Sequence, residues 1–536
     1  MKRIRGTVVD VWEEDIYPGE VYVRGGRVVK VQRGEGGGRY LLPALVDAHI
    51  HIESSMLIPS RFASLSLPHG TVALVADPHE IANVLGLPGV LWMMMDSSAT
   101  PQKVFFTAPP CVPASAHESS GAVLTPEDIK ELLSDPRVVA LGEVMDVKGV
   151  LEGTPELMEK IRLAKKAGKP VDGHAPGLTG EALRRYFSLG ISSDHECTTF
   201  EEVKERAAMG VLLLLRGGSA SKSLDLLSAG GRRALCTDDL SAPDLSRGHM
   251  DRLLKEAVEW GADPLEAVEM ASRIPAEHYR LPVGLLRPAD PADVVVVRDL
   301  KDFEVEAVFV DGRVVARGGE ALFELPPYLP ANNFYAAPFP TTEFIHPVRG
   351  PAEVRVIRMR PDNLYTDEMS VELKEGQSLP DPSRDILLAL CMDRYGTGKY
   401  STAPLKGTGL KEGAVALTIS HDSHNIIALG ADLNDLAAAL RRVIEMKGGV
   451  AISRGGRVLS LRLEVAGLMT GEEPHLVAER IREMERELKD MGMMLTSPLS
   501  QLSFLSLTVI PKLRLTPAGV FDVERGAYVE AVRTSL

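Results

Sequence analysis

Leu45-Val-Asp-Ala-His-Ile-His-Ile52 is the stretch on which the reading of this chain turns. His49 and His51 stand two residues apart in an apolar, β-prone run. A strand puts positions i and i+2 on one face, so both imidazoles project together. Two imidazoles converging at a strand end suit a first-row divalent metal. A lone His-x-His would not carry that weight, because two unrelated core histidines produce the same pattern. Further His, Glu and Asp residues at the ends of later strands supply the weight.

Upstream, Thr7–Val11, Glu20–Val23 and Arg27–Val31 read as short strands, with a hairpin turn at Gly25-Gly26. Downstream, apolar runs alternate with helical stretches at the spacing of βα units. The runs are 45–52, 71–77, 103–110, 138–145, 170–175, 191–196, 210–218 and 233–239. Thr125-Pro-Glu-Asp and Thr154-Pro-Glu-Leu open helices between them, with Thr as N-cap and Pro at the first helical position. Eight runs of this kind predict an α/β fold, a TIM-like (β/α)8 barrel over 43–282. A doubly wound open sheet is the alternative, but no Gly-x-Gly-x-x-Gly follows the first strand. Strands at 293–297, 307–310 and 312–316 match the opening hairpins in type. Residues 1–42 and 283–322 are therefore expected to join as a small composite β domain, a β-sandwich beside the barrel. Residues 323–346, rich in Pro, Asn and aromatics, read as a linker. Residues 347–536 mix strands (353–359, 414–420, 426–429, 449–453, 457–465) with helices (431–446, 476–490), which predicts an α+β domain.

Composition narrows the function. The 536-residue chain carries a net charge of −14 and no long basic run. That argues against general nucleic-acid binding and against an anionic membrane surface. The apolar runs are too short to span a bilayer, and no signal-peptide h-region follows Met-Lys-Arg-Ile-Arg. Four cysteines stand far apart with no Cys-x-x-Cys, so neither a zinc knuckle nor a disulfide framework is indicated, and the cytoplasm is the expected compartment. The methionine groups at 93–95 and 491–494 read as core filling.

Barrel enzymes build their sites at the C-terminal ends of the strands. Here those ends carry His49 and His51, then Asp77-Pro-His-Glu80, His117-Glu118, Glu143, His174, His195, Arg216 and Asp238-Asp239. An unpaired charge at a buried strand end costs several kcal/mol, so so many ionisable side chains need a common cause. A two-metal centre is one. His49, His51 and Asp238 could hold one ion, His174 and His195 the other, with Glu143 bridging. Bound water would then lose a proton near neutrality, and Asp238 is placed to carry it.

Eight motifs resemble the amidohydrolase superfamily, and within it the adenine deaminases of bacterial and archaeal type. They are Asp47-Ala-His-Ile-His-Ile-Glu-Ser-Ser-Met56, Pro68-His-Gly-Thr71, Ala76-Asp-Pro-His-Glu-Ile-Ala-Asn-Val84, Leu141-Gly-Glu-Val-Met145, Asp172-Gly-His-Ala-Pro-Gly177, Ser193-Asp-His-Glu196, Cys236-Thr-Asp-Asp239 and His421-Asp-Ser-His-Asn425. The likeness covers nearly the whole chain. It implies hydrolysis of adenine to hypoxanthine and ammonia in purine salvage, with two divalent ions (Mn, Fe or Zn). Glu143 stands where many relatives carry a carboxylated lysine, which weakens the hydantoinase and dihydroorotase readings. Under this resemblance Asp238 shuttles the proton of the attacking hydroxide. A donor to N1 is sought among Glu80, His79 and Glu118, with Arg216, His421 and Asn425 as further substrate contacts. Asn425 offers both a donor and an acceptor to a purine edge.

Two rivals remain at this point. One is another binuclear-metal amidohydrolase acting on a related aminopurine or a cyclic amide. The other is a non-catalytic scaffold, which would be expected to lose ligands, whereas all six positions are filled. The nucleic-acid-editing zinc deaminases need Pro-Cys-x-x-Cys, which is missing. A homo-oligomer, dimer or tetramer, is expected.

Overall fold

Every residue of the strand Leu45–His51 is buried. A strand covered on both faces reads as a continuous apolar run, as this one does apart from Asp47 and its two histidines. The computed structural model describes residues 1–336, 352–374 and 377–533.

From this strand the chain lays down Thr71–Ala76, Lys103–Ala108, Val138–Val144 and Val171–Gly173, each parallel to the one before. Ser193–Asp194, Leu212–Arg216 and Arg233–Cys236 form a second parallel arc. The arcs meet where Ser192 N–H donates to the Val171 carbonyl at 2.9 Å. The ring closes where Asp238 and Asp239 pair with Ile50 and His51. The predicted eight-stranded barrel is thus present, with its eighth strand interrupted at Thr237. That residue's N–H and hydroxyl both donate to the Asp47 carboxylate on the first strand. The fifth and sixth strands are shorter than the sequence suggested, three and two residues. They leave the ladder just before His174 and His195, whose rings turn inward.

Around the barrel, Thr125 caps Pro126–Ser134 in a reciprocal capping box with Asp128. Met250–Glu259 and Pro264–Met270 follow the eighth strand, as expected. Residues 2–42 and 294–321 share one eight-stranded sheet. Tyr40–Leu42 lies between Lys2–Asp10, to which it is parallel, and Val294–Val297, to which it is antiparallel.

The C-terminal half centres on a nine-stranded sheet. Its strand Leu387–Met392 is buried throughout, and alternation divides it cleanly. Leu388, Leu390 and Met392 pack with Leu436, Leu440 and Val443 of the helix Leu433–Met446. Leu387, Ala389 and Cys391 face the other way, into the core that also contains Ile50, Ile52 and Phe62 of the barrel. This shared core fixes the C-terminal sheet against the barrel mouth. Several of its strands were not anticipated. Leu387–Met392 is uniformly apolar, so periodicity is silent about it, and Tyr400–Lys406 contains Pro404.

The stretch expected as a linker has no helix or strand over 323–336, yet it is tied down. Trp92 Nε1 donates to the Leu329 carbonyl at 2.9 Å and Tyr335 N–H to the Arg394 carbonyl at 2.7 Å. Residues 337–346 of that stretch lie outside the described residues.

Candidate metal centre

Four imidazoles converge on one carboxylate. Glu143 leaves the end of the fourth barrel strand with its side chain 2% exposed. Its Oε1 lies 3.1 Å from His49 Nε2 and 2.9 Å from His51 Nε2. Its Oε2 lies 2.8 Å from His174 Nδ1 and 3.6 Å from His195 Nε2. Asp238 Oδ1 completes the cluster, 3.1 Å from His51 Nε2 and 3.6 Å from His49 Nε2. The rings of His49 and His195 stack at 4.4 Å, so the two imidazole pairs abut. Asp238 adopts a left-handed backbone (φ 61°) at the break in the eighth strand. An aspartate tolerates this conformation better than most residues, and strained backbone is characteristic of functional positions.

The donor set fits divalent cations. His51 Nδ1 sits 3.1 Å from the Asp77 carbonyl, which places the ring proton there and turns the Nε2 lone pair inward. His49 Nε2 and Glu143 Oε1 are fully buried and make no hydrogen bond of proper geometry, although they lie within contact distance. Such atoms face a common point rather than each other. Burial pushes the Glu143 carboxyl up, but the surrounding His195, His174, His49 and His51 hold it well below the usual range. Asp238 is held low in the same way, by His49, His51, His195 and Arg216 against its burial. Two carboxylates buried among four imidazoles form a compact donor set, and soft-to-borderline imidazole with carboxylate is the ligand mixture of first-row ions. Three of the groupings with metal-ligand spacing draw on these residues: His49, Glu143, His195 and Asp238; His51, His79 and Glu143; and His174, His195 and Glu196. The first of them differs from the partition expected above, since His195 stands with His49 and Asp238.

Above this floor lies a cavity of about 120 Å³. That is well below the roughly 300–1,000 Å³ of sites for drug-sized ligands, so it suits one small molecule. The C-terminal loop after Ala414–Leu417 covers one side. There His421 Nδ1 and His424 Nε2 each grip one oxygen of Glu80. Ser420 N–H donates to His424 Nδ1 at 3.2 Å, so the His424 proton is on Nε2, facing Glu80. Burial raises the Glu80 carboxyl, but His421, His424 and His79 outweigh it and keep Glu80 ionised. Burial would lower His421, yet Glu80 lifts it to about 9. Burial lowers His424 to about 4. The resting arrangement is therefore a carboxylate between a protonated and a neutral imidazole. Phe504 stacks on His421 at 4.2 Å and stiffens it.

His79, Glu80, Arg216 and His421 all reach the cavity wall, as do His51, Glu143, His174, His195 and Asp238. Arg216 arrives with its charge already engaged: Nη1 donates to Glu196 Oε1 at 2.7 Å and to Asp238 Oδ2 at 3.1 Å. It therefore braces Asp238 instead of offering a free guanidinium to a substrate. Two expected contacts do not reach the wall. Glu118 Oε1 accepts from both the backbone N–H and the hydroxyl of Thr508 at 2.7 Å. Asn425 is consumed by the carbonyl of Ser119 at 2.9 Å and by the Arg394 N–H at 3.3 Å. Both fasten the C-terminal half to the third barrel loop, Glu118 through Oε1 alone.

Several wall residues carried no role in the sequence reading. Glu196 and Asp422 sit inside quoted motifs, beside the histidines that drew attention. Tyr365, Phe504, Leu507 and Ile510 belong to no motif, and only the tertiary fold brings them to the cavity.

A model described as the amidohydrolase family matches residues 40–315, and one described as the adenine deaminase C-terminal domain matches 363–527. A protein of Methanothermobacter thermautotrophicus named adenine deaminase is 43% identical over 528 residues, 97% of this chain and 98% of that one. The chain belongs to the amidohydrolase family, in its adenine deaminase branch. A second member of that branch, from Methanosarcina acetivorans, is 42% identical over 550 residues, with 99% of each chain covered. Among solved structures, N-acetyl-D-glucosamine-6-phosphate deacetylase from Mycobacterium smegmatis aligns over 59% of this chain and 100% of its own, at 20% identity and a TM-score of 0.46. In this adenine deaminase family member, the amidohydrolase segment supplies the imidazole and carboxylate floor. The family's C-terminal domain supplies the lid residues His421, Asp422 and Phe504.

Proposed function

We propose that this chain hydrolyses adenine to hypoxanthine and ammonia, using two divalent ions of Mn, Fe or Zn type held by His49, His51, Glu143, His174, His195 and Asp238. The observation that carries the reading is the division of Glu143: each of its oxygens faces a separate pair of imidazoles. A carboxylate so placed suits a bridge between two ions. The relatives' name supplies the substrate, and the small cavity is compatible with a free base. Bound divalent ions supply a water whose pKa falls toward 7, hence a nucleophile at neutral pH.

The chain's own residues do the rest. Asp238, braced by Arg216, takes the proton from the attacking water and returns it to the exocyclic nitrogen as the C–N bond breaks. Attack at C6 drives negative charge onto N1, which requires a proton donor there. We assign that task to Glu80 with His421: the imidazole stores the proton, Glu80 Oε1 is its partner, and both line the cavity. His79, 3.3 Å from Glu80 Oε1, aligns the carboxylate.

Self-association as a dimer or tetramer is part of the proposal, supported by Leu91 and Met95, which leave the helix Leu87–Ser97 apolar at the surface. A reducing, cytoplasmic setting is supported by four buried, unpaired cysteines. No described helix is long and apolar enough to cross a membrane.

The test is the absorbance change from adenine to hypoxanthine with apo-protein reconstituted separately with Mn, Fe and Zn. Ammonia release from guanine, adenosine and dihydrouracil is measured alongside. Turnover of adenine far above the others is expected. A metal-loaded protein that leaves adenine intact and hydrolyses a cyclic amide would replace this reading with its rival.

A further inference from the structure

A second cavity, of about 180 Å³, adjoins the reaction cavity through shared wall residues. At ~30 Å³ each it has room for about six water molecules. Among the described residues, two side chains, Asp239 and His421, belong to the walls of both spaces. Asp239 follows the proton-carrying Asp238 in the chain, so the partition stands beside the point where the C–N bond breaks. The far end reaches solvent at Arg247, whose side chain is 64% exposed and lies 3.5 Å from Asp244.

The lining is unusual in its hydroxyls. Ser54, Ser219, Ser241, Ser497, Ser500 and Ser503 all face this space. Ser54 donates to Asp239, and Ser219 donates to Asp244 Oδ2 at 2.6 Å. A serine hydroxyl both donates and accepts, as ammonia and water do. A purine has little complementary aromatic surface here, because His421 carries the one aromatic ring among the described lining side chains.

The reaction itself creates a need for such a space. The exocyclic amine must face the floor of ligands to be displaced there. Ammonia is thus released at the deepest point, while the purine product still fills the cavity between the floor and the half-buried Asn363–Tyr365 segment. We propose that the hydroxyl-lined cavity behind Asp239 and His421 is the exit for ammonia, separate from the path of the purine. The inference rests on deamination of adenine as proposed above.

Ser500, on the helix Pro498–Ser503, is half-buried and has no side-chain hydrogen bond in the structure, so it is the place to narrow the passage. kcat/KM reports the steps up to the first irreversible one, whereas kcat also contains product release. In the metal-loaded enzyme, Ser500→Leu and Ser500→Phe should lower kcat progressively, at least fivefold for Phe, with kcat/KM within twofold. Ser500→Ala should change neither. If the bulky variants fold poorly, Ser500→Cys capped with a methanethiosulfonate reagent makes the same plug on folded protein, since the native cysteines are buried. Its kcat should fall on capping and recover on reduction with a phosphine. An unchanged kcat in plugged protein, or kcat and kcat/KM falling together, overturns the exit while leaving the deaminase reading intact. A wild-type holoenzyme inert toward adenine removes both.

Discussion

Glu143→Gln is the perturbation that bears hardest on the centre. The amide keeps the shape of the carboxylate but has one oxygen and one NH2 group. Each Glu143 oxygen faces two imidazole nitrogens at 2.8–3.6 Å in a site closed to solvent. The substitution therefore leaves one pair facing a group that cannot ligate. Removing one member of a buried charged set costs about 3–5 kcal/mol. At ~1.4 kcal/mol per tenfold, that is roughly a hundred- to several-thousand-fold in affinity for the cation on the orphaned side. The assay is metal content after dialysis against a graded series of chelator, followed by adenine turnover at saturating metal. Expected are one weakly held and one tightly held equivalent, with kcat more than tenfold below wild type because the activated water is lost. A variant that retains both equivalents at wild-type affinity, or turns over adenine within tenfold of wild type, would refute the bridging role.

Asp238→Asn should abolish turnover while leaving much of the metal in place, because the amide oxygen still faces His49 and His51; metal analysis and the absorbance assay on one sample check both halves. Glu80→Gln should lower kcat by about 10²–10⁴, the usual worth of a positioned acid–base group; a loss under tenfold would remove Glu80 from the proton path. The Glu80–His421 pair also predicts a pH dependence. His421 is raised to about 9 from its ordinary 6.5, so the folded chain binds that proton more tightly than the unfolded one. The stabilisation is complete below about pH 6.5 and is lost as pH rises through about 9. Thermal unfolding of wild type and Glu80→Gln should differ most between about pH 5 and 6.5, draw together at lower pH as Glu80 is protonated, and converge above pH 9. Parallel curves across the range would show that the pair carries no such linkage.

The barrel was legible because its strands are buried on both faces and because Thr125 caps the helix it opens, both local properties of the chain; Thr154 opens its helix without a side-chain cap. The six cluster residues were legible because each sits at or just past a strand end, where the fold directs side chains to one point. What the local sequence could not express was which polar groups are already spoken for. Arg216, Glu118 and Asn425 look like free recognition groups in isolation, and each is engaged by residues up to several hundred positions away. Tyr365 and Phe504 were invisible for the opposite reason: an aromatic residue in a mixed α+β segment is usually core, and only the tertiary fold brings this loop residue and this short-helix residue to the cavity. Met93, Met491 and Met493 are buried as packing residues, while Met95 and Met494 stand at the surface.

Glu80 ends the story of the barrel early and starts it late. Its two oxygens are claimed by His421 and His424, which the ribosome adds long after Asp238. At ~5–20 residues per second, a nascent chain spends about 10–40 s with every cation ligand synthesised and the lid still unmade. The six proposed cation ligands are thus all in the nascent chain before the residues that cover them exist.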